Sequence, residues 1–203
     1  MLPPTIPIFP LPDAVLFPGV FLPLHIFEPR YRAMVADVLD GDRVIGMTLL
    51  RPGWESDYEG RPPIFPIGCA GLVTHAERLP DGRFDIVLKG LSRFRVVDEE
   101  PGRPYRVARV QGLAEAVEDR EALAAGRRRL EALLAPVLSS RRCRVPSTLG
   151  DDEVVNGLSQ CLDLEPIERQ ALLECAGALA RCRLLAQILE MKVVARRPAG
   201  GRH

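Results

Sequence analysis

Ile8-Phe-Pro-Leu-Pro-Asp-Ala-Val-Leu-Phe-Pro-Gly-Val-Phe-Leu-Pro-Leu-His-Ile-Phe-Glu-Pro-Arg-Tyr-Arg32 is strongly apolar, yet prolines recur in it at 10, 12, 18, 23 and 29. Proline fixes φ and supplies no backbone donor, so neither a helix nor a long central strand runs through its first part. Short strands joined by tight corners remain: Thr5–Phe9, then Val20–Ile26, with Pro18-Gly19 as the turn between them. At Phe27-Glu28-Pro29 the pattern changes type. Pro29 suits the first position of a helix, and Glu28 suits its positive end. Tyr31, Met34, Val35, Val38 and Leu39 then follow at helical spacing until Asp40-Gly41-Asp42 closes the run.

Downstream, Arg43–Leu50 reads as a buried strand, and Arg51–Pro63 as a long polar loop holding the only tryptophan. Ile67–His75 and Phe84–Val97 are strand-patterned, and Asp81-Gly82 between them signals a hairpin. Phe84, Ile86 and Leu88 share one face and Phe94 and Val96 another group, so Lys89-Gly-Leu-Ser92 predicts a bulge or corner. Tyr105–Leu113 closes the strand-rich part. From Ala114 prolines thin out and helical periodicity takes over. Val117–Leu138 turns Leu123, Leu130, Leu133, Leu134, Val137 and Leu138 inward; Asp151–Leu162 does so with Val154, Val155, Leu158 and Leu162. A short helix from Pro166 carries Ile167, Ala171, Leu172 and Cys175, and Leu179–Val194 carries Leu179, Cys182, Leu185, Ala186, Leu189 and Val193. Ser139–Pro146 is a connector. The expectation is an α+β chain: a β-rich domain over 1–113 with about six strands and one helix, a four-helix bundle over 114–197, and a disordered tail over 198–203.

The 203 residues carry 27 basic and 27 acidic side chains, 47% hydrophobic residues and only 5% aromatic ones. Nucleic-acid binding wants clustered cations and stacking rings, and this balance argues against it. Of the basic residues 25 are Arg, a skew of genome composition more than of function, and Arg127-Arg-Arg129 reads as a solvated helix face in preference to a docking patch. The five cysteines, at 69, 143, 161, 175 and 182, lack metal-knuckle spacing and read as reduced thiols, mostly buried, Cys175 and Cys182 among them. No charged leader precedes the first strand, and no apolar run reaches the ~18 residues of a membrane span. A cytoplasmic protein is expected.

The search for reactive groups is negative. No Gly-x-x-x-x-Gly-Lys-Ser/Thr loop occurs, and no Gly-x-Ser-x-Gly elbow. Lys89 and Ser92 share a strand without a glycine-rich oxyanion loop, His25 and His75 read as structural, and Glu28 reads as a helix-start residue. No catalytic residue, metal or cofactor is expected. Trp54 and Tyr58, two aromatics on the long loop, are the candidate protein-binding residues; they serve either as anchors for a partner or as a lid over their own barrel.

Phe9-Pro-Leu-Pro, Val15-Leu-Phe-Pro-Gly19 and Leu22-Pro-Leu-His-Ile-Phe-Glu-Pro-Arg-Tyr-Arg32 closely resemble the opening of the N-terminal domain of Lon-type ATP-dependent proteases. Leu79-Pro-Asp-Gly-Arg83 with Ile86-Val-Leu-Lys-Gly-Leu-Ser-Arg-Phe-Arg95 resembles that family's hairpin, and Tyr105-Arg-Val-Ala-Arg-Val110 its closing strand. The likeness spans roughly Ile6 to Val194, with its specific motifs in the first half. It implies a PUA-like pseudo-barrel followed by a helical bundle. It implies a bacterial, non-enzymatic protein that binds exposed or unfolded protein segments, without the ATPase and peptidase modules that follow this domain in full-length Lon. Its partners would be protein clients or a protease or adaptor, with weak self-association left open. The alternatives from other classes are an RNA-binding PUA-like domain and a small-ligand or hydrolytic enzyme using the barrel cleft. The expected binding face is the groove between barrel and bundle, rimmed by Arg51–Pro63.

Overall fold

The computed structural model describes residues 2–58, 60–116, 119–138 and 149–196. The expected helix start at Val117, the connector Ser139–Pro146, Cys143 and the tail 198–203 lie outside them, as do the side chains of Val137, Leu138 and Val193. The chain runs β1 (Thr5–Leu11), β2 (Phe21–Ile26), α1 (Pro29–Leu39), β3 (Val44–Leu49), β4 (Ile67–Arg78), β5 (Phe84–Glu100) and β6 (Arg106–Gly112). Four helices follow: α2 (Arg120–Leu138), α3 (Asp151–Cys161), α4 (Pro166–Glu174) and α5 (Ala178–Arg196). The strands lie in the order β2-β5-β4-β3-β1-β6, and β6 pairs back onto β5. Five strands therefore close a ring, and β2 flanks the first half of β5 outside it. This is an α+β fold, a six-stranded pseudo-barrel with one helix and then helices.

β1 lies between two strands although it contains Pro7 and Pro10, where no central strand was expected. The reason is a division of labour. Thr5–Ile8 pairs with β6 and Ile8–Leu11 pairs in parallel with β3. Each proline thus has a partner strand on one side only, the situation of an edge strand, where a missing donor is tolerated.

The 17 residues of β5 change faces at the expected place. Gly71 is opposite Gly90 but Ala70 is opposite Ser92, so Leu91 is an extra residue. Side chains alternate with period 2, and one inserted residue inverts the alternation beyond it. Before the bulge, Phe84, Ile86 and Leu88 face the side covered by α1 and the later helices. After it, Phe94 faces the barrel interior with Ile6, Ile8, Val44, Ala70, Ala108 and Val110. Phe94 fits because Gly46 and Gly68 lie against its ring; a Cβ at either would stand under 3 Å from its Cζ. Arg93, displaced the other way, is aimed at the helices. At the hairpin, Gly82 adopts φ +81°, while Leu79 N donates to Arg83 O at 2.8 Å. The expected Asp-Gly turn is there for the usual reason, a left-handed position that glycine fills without strain.

The apolar cluster on the outer face is continuous into the helices. It takes Tyr31, Met34, Val35 and Val38 of α1, Leu16, Phe17 and Met47, then Leu130, Leu134, Val155, Leu158, Leu172 and Leu185. Three expectations on the helices change. In α4, Ile167 and Ala171 are exposed, and the buried face is Gln170, Leu172 and Leu173. A nine-residue helix has too few turns for apolar spacing to fix its phase; here the phase is set by Gln170 Nε2, which donates to Ile67 O at 2.9 Å. Cys175 sits at the end of α4 half-buried, and Cys161 is exposed, whereas Cys69 and Cys182 are buried. The buried stripe of α5 includes a charge, Arg181, together with Ala178, Cys182, Leu185, Ala186 and Ile188.

Candidate functional site

The most exposed apolar surface on the barrel lies on β2. This strand pairs with β5 alone, so its other edge pairs with no strand among the described residues. Phe21, Pro23 and His25 alternate outward along it, and Phe27 continues the row. Phe21 is 56% and Phe27 61% exposed. His25 and Phe27 stack with centroids 6.4 Å apart, and the Lys89 ammonium lies 5.7 Å from the Phe21 ring. At ~3.3 Å per residue the row is about 20 Å long. In the sequence these residues read as part of an apolar run. The signal was available in Pro23, since a proline inside a strand marks an edge.

The loop after β3 folds toward the start of α1. Glu28 occupies the helix N-cap with extended dihedrals, but its side chain caps nothing. The carboxylate accepts from Arg30 Nε at 3.0 Å and from the Tyr58 hydroxyl at 2.6 Å. Two nitrogens of Arg30 donate to the Tyr58 carbonyl at 3.3 Å, and its guanidinium lies 5.0 Å from the Tyr58 ring. Burial and the Glu28 charge push the Tyr58 hydroxyl above its ordinary pKa. Trp54 packs edge-on against Tyr58 at 5.3 Å, and both are half-buried. The two candidate aromatics are therefore together, with Tyr58 tied to α1 and Trp54 resting on it.

The seam between barrel and helices is polar and was not anticipated. Arg93 is buried and donates to Glu115 Oε1 at 2.7 Å and to the carbonyls of Leu173, Ala114 and Ala176. Arg181, buried beside it, donates to Leu172 O at 3.0 Å and to Asn156 Oδ1, and Asn156 Nδ2 donates to Pro18 O at 2.9 Å. Desolvation lowers the pKa of Arg181, and Glu115 opposes that shift. A cleft of about 500 Å³ opens along this seam, bordered by Pro18, Glu115, Arg120, Asp151, Asn156 and Arg181. The Arg51–Pro63 loop does not rim it, contrary to expectation. The loop borders a different cavity, with Arg30, Tyr31 and Arg106. A long loop's direction follows from what its side chains bond to, here Glu28 and Arg30, and composition does not encode that.

The remaining candidates are scattered. His25 Nδ1 meets Asp85 Oδ1 at 2.6 Å and Nε2 meets Arg83 at 3.2 Å, all on the exposed surface. His75 is exposed on β4. Lys89 reaches over Phe21, and the bulge separates it from Ser92 along the ladder. Arg127 bonds Glu131 and Asp151, and Arg129 bonds Glu190, so these two arginines are engaged within the chain. Among the described residues no group of three or more His, Cys, Asp or Glu is placed to hold a metal. No helix among them is long and apolar enough to cross a membrane.

The family model of the ATP-dependent protease La (LON) substrate-binding domain matches residues 5–191. The chain belongs to the Lon substrate-binding domain family. Its Lon domain is 30% identical to Lon protease 2 of Myxococcus xanthus over 94% of the chain and 24% of that protein. The same identity and coverage hold for the Lon protease of Anaeromyxobacter dehalogenans. The chain thus spans about a quarter of the length of these curated bacterial relatives. In fold it resembles the N-terminal domain of a Mycobacterium avium complex Lon protease, with a TM-score of 0.72 and 17% identity over 92% of this chain and 98% of that one. A Lon N-terminal domain protein from Xanthomonas campestris follows at TM-score 0.62 and 24% identity, over 96% and 99%. The Lon-type motifs read from Phe9–Arg32 and from the hairpin lie within the matched span.

Proposed function

We propose that this Lon domain is a non-catalytic protein-binding module of the cytoplasm that holds exposed, unfolded protein segments and works as a client-selecting part or adaptor in proteolysis. The observation that supports it most directly is the open edge of β2. An unpaired edge offers backbone donors and acceptors to an extended segment, and Phe21, Pro23 and Phe27 beside it offer apolar contact. Trp54 and Tyr58 form a second contact in this reading, with Trp54 meeting the client and Tyr58 supporting it. The substrate-binding name of the family is consistent with both.

Fluorescence anisotropy with labelled, reduced and carboxymethylated α-lactalbumin tests this. Aromatic hot spots contribute about 2 kcal/mol or more when truncated, so Phe21→Ser with Phe27→Ser weakens binding at least tenfold. Trp54→Ala with Tyr58→Ala gives a smaller loss. Binding unchanged by the β2 pair removes the edge strand as the site.

A further inference from the structure

We propose that a second copy of this chain pairs with the open edge of β2, antiparallel about a twofold axis at Pro23, and that this self-pairing competes with client segments. The competition rests on the client reading of the same edge; the pairing itself does not.

The backbone decides what the edge presents. Gly90 N donates to Val20 O at 2.8 Å as β2 begins. An antiparallel ladder alternates, so Leu22, Leu24 and Ile26 turn their backbone groups to β5, and Phe21, Pro23 and His25 turn theirs outward. The far side of β5 agrees. Val87, opposite Pro23, directs its carbonyl toward β4, where Thr74 Oγ1 donates to it at 3.1 Å. Pro23 therefore lacks a donor only on the outer side. The edge offers donor and acceptor at Phe21, an acceptor alone at Pro23, and donor and acceptor at His25. That order reads the same from either end. A twofold axis normal to the sheet places Phe21 opposite the second copy's His25, twice over, and each pair exchanges two backbone bonds. The missing donors meet on the axis, Pro23 against Pro23, so no other position loses a bond to them.

Charge follows the same symmetry. Lys89, opposite Phe21, holds its ammonium 5.7 Å from that ring and forms no ion pair among the described residues. Asp85, opposite His25, meets His25 Nδ1 at 2.6 Å, and exposed Glu77 lies beside Asp85 on β4. Arg83, at the same end, is paired with Asp81. One end of the row is cationic and the other acidic, and the axis sets each end against its opposite. The charged rows stand ~14 Å apart, three strand spacings, so they orient the encounter more than they bond. A row ~20 Å long and one strand wide buries less than the ~800 Å² per partner of a standard interface. The pair is accordingly reversible, and a client can displace it.

Sedimentation velocity of the full chain between about 5 and 500 μM tests this, and the expected result is a monomer that converts to dimer as concentration rises. Phe21→Lys, at an exposed position, weakens association roughly tenfold. His25→Pro removes the outward donor as Pro23 does, spares the ladder to β5, and weakens association as well. Both variants keep the circular dichroism spectrum of the native monomer. Lys89→Glu weakens the dimer and adding Asp85→Lys recovers it, which local damage would not do. Affinity for reduced, carboxymethylated α-lactalbumin falls as the chain is concentrated into the dimer. A dimer with these dependences but no client binding supports the pairing and removes the client reading instead. A monomer throughout, a dimer indifferent to Phe21→Lys and His25→Pro, or a client bound equally by monomer and dimer overturns the proposal.

Discussion

The barrel and its seam with the helices are held by opposite means. Inside the barrel one ring, Phe94, fills the space that two glycines leave open, among Ile6, Ile8, Val44, Ala70, Ala108 and Val110. At the seam, two buried arginines gather backbone carbonyls from α4 and from the segments before α2 and α5. The interior needs volume, because apolar burial is indifferent to direction. The seam needs direction, because the ends of helices leave carbonyls that only a donor satisfies. A guanidinium offers five donors in a fixed fork and can serve several ends at once. Phe94 and Arg93 are neighbours on one strand, and the Leu91 bulge assigns each to its side.

Deleting Leu91 and Ser92 together attacks the contrast at its root. Gly90 then runs directly into Arg93, so strict alternation sends Phe94 toward the helices and Arg93 into the barrel and removes cooperative unfolding, a loss read by near-UV circular dichroism and a urea melt, whereas deleting Leu91 alone closes the bulge and keeps both faces. Phe94→Ala comes next. It leaves a cavity between Gly46 and Gly68 and costs about 3–5 kcal/mol in a urea titration. Arg93→Met costs less, about 2–3 kcal/mol, by removing one donor each from three carbonyls and from Glu115. Its mark is regional: hydrogen exchange rises in α4 and α5 while the barrel stays protected. Arg93→Lys does not restore it, since a single ammonium cannot replace the fork.

Alkaline pH probes the seam more gently. Cys69 pairs across the ladder with Arg93, and burial pushes its pKa from 9.0 up to about 12. The unfolded chain gives up this proton first. The stabilisation is complete below pH 9 and fades between 9 and 12, together with that of Tyr31 and Tyr105, both raised from 10.0 to about 12. Denaturation midpoints at pH 8 and 10.5 show the decline, and Cys69 resists alkylation at pH 8 until the protein unfolds. The smallest effect belongs to Tyr58→Phe, which removes the bond to Glu28 and costs about 1 kcal/mol or less. Emission of Trp54, the sole tryptophan, shifts because its supporting ring is released.

Much of the barrel was legible in the sequence. Pro18-Gly19 placed the turn between the first two strands, Asp81-Gly82 placed the hairpin, and the parity change between Leu88 and Phe94 placed the bulge, because each is a local constraint written in a few adjacent residues. What could not be read is non-local. Whether Arg93 is solvated or buried depends on α4, some 80 positions away. The phase of α4 depends on a carbonyl of β4. The loop aromatics were recognisable as a pair, but their tie to Glu28 was not, because a carboxylate at a helix start is normally sufficient explanation for itself. The cavity beside Tyr31 left no trace in the pattern, since its walls come from α1, the loop after β3 and the start of β6, which are far apart in the chain.

The divided pairing of β1 also sets an order in time. Its second half bonds to β3, about 40 residues later, and its first half to β6, about 100 residues later. As synthesis proceeds, the strand can take its first neighbour early, while residues 5–8 wait for the ring to close. Loop closure over the longer span is the slower event, so the last step of barrel formation is the docking of β6, and until then Ile6 and Ile8 lack their final cover. A chain interrupted before residue 106 carries an exposed apolar strand end, and that is the species most prone to aggregate.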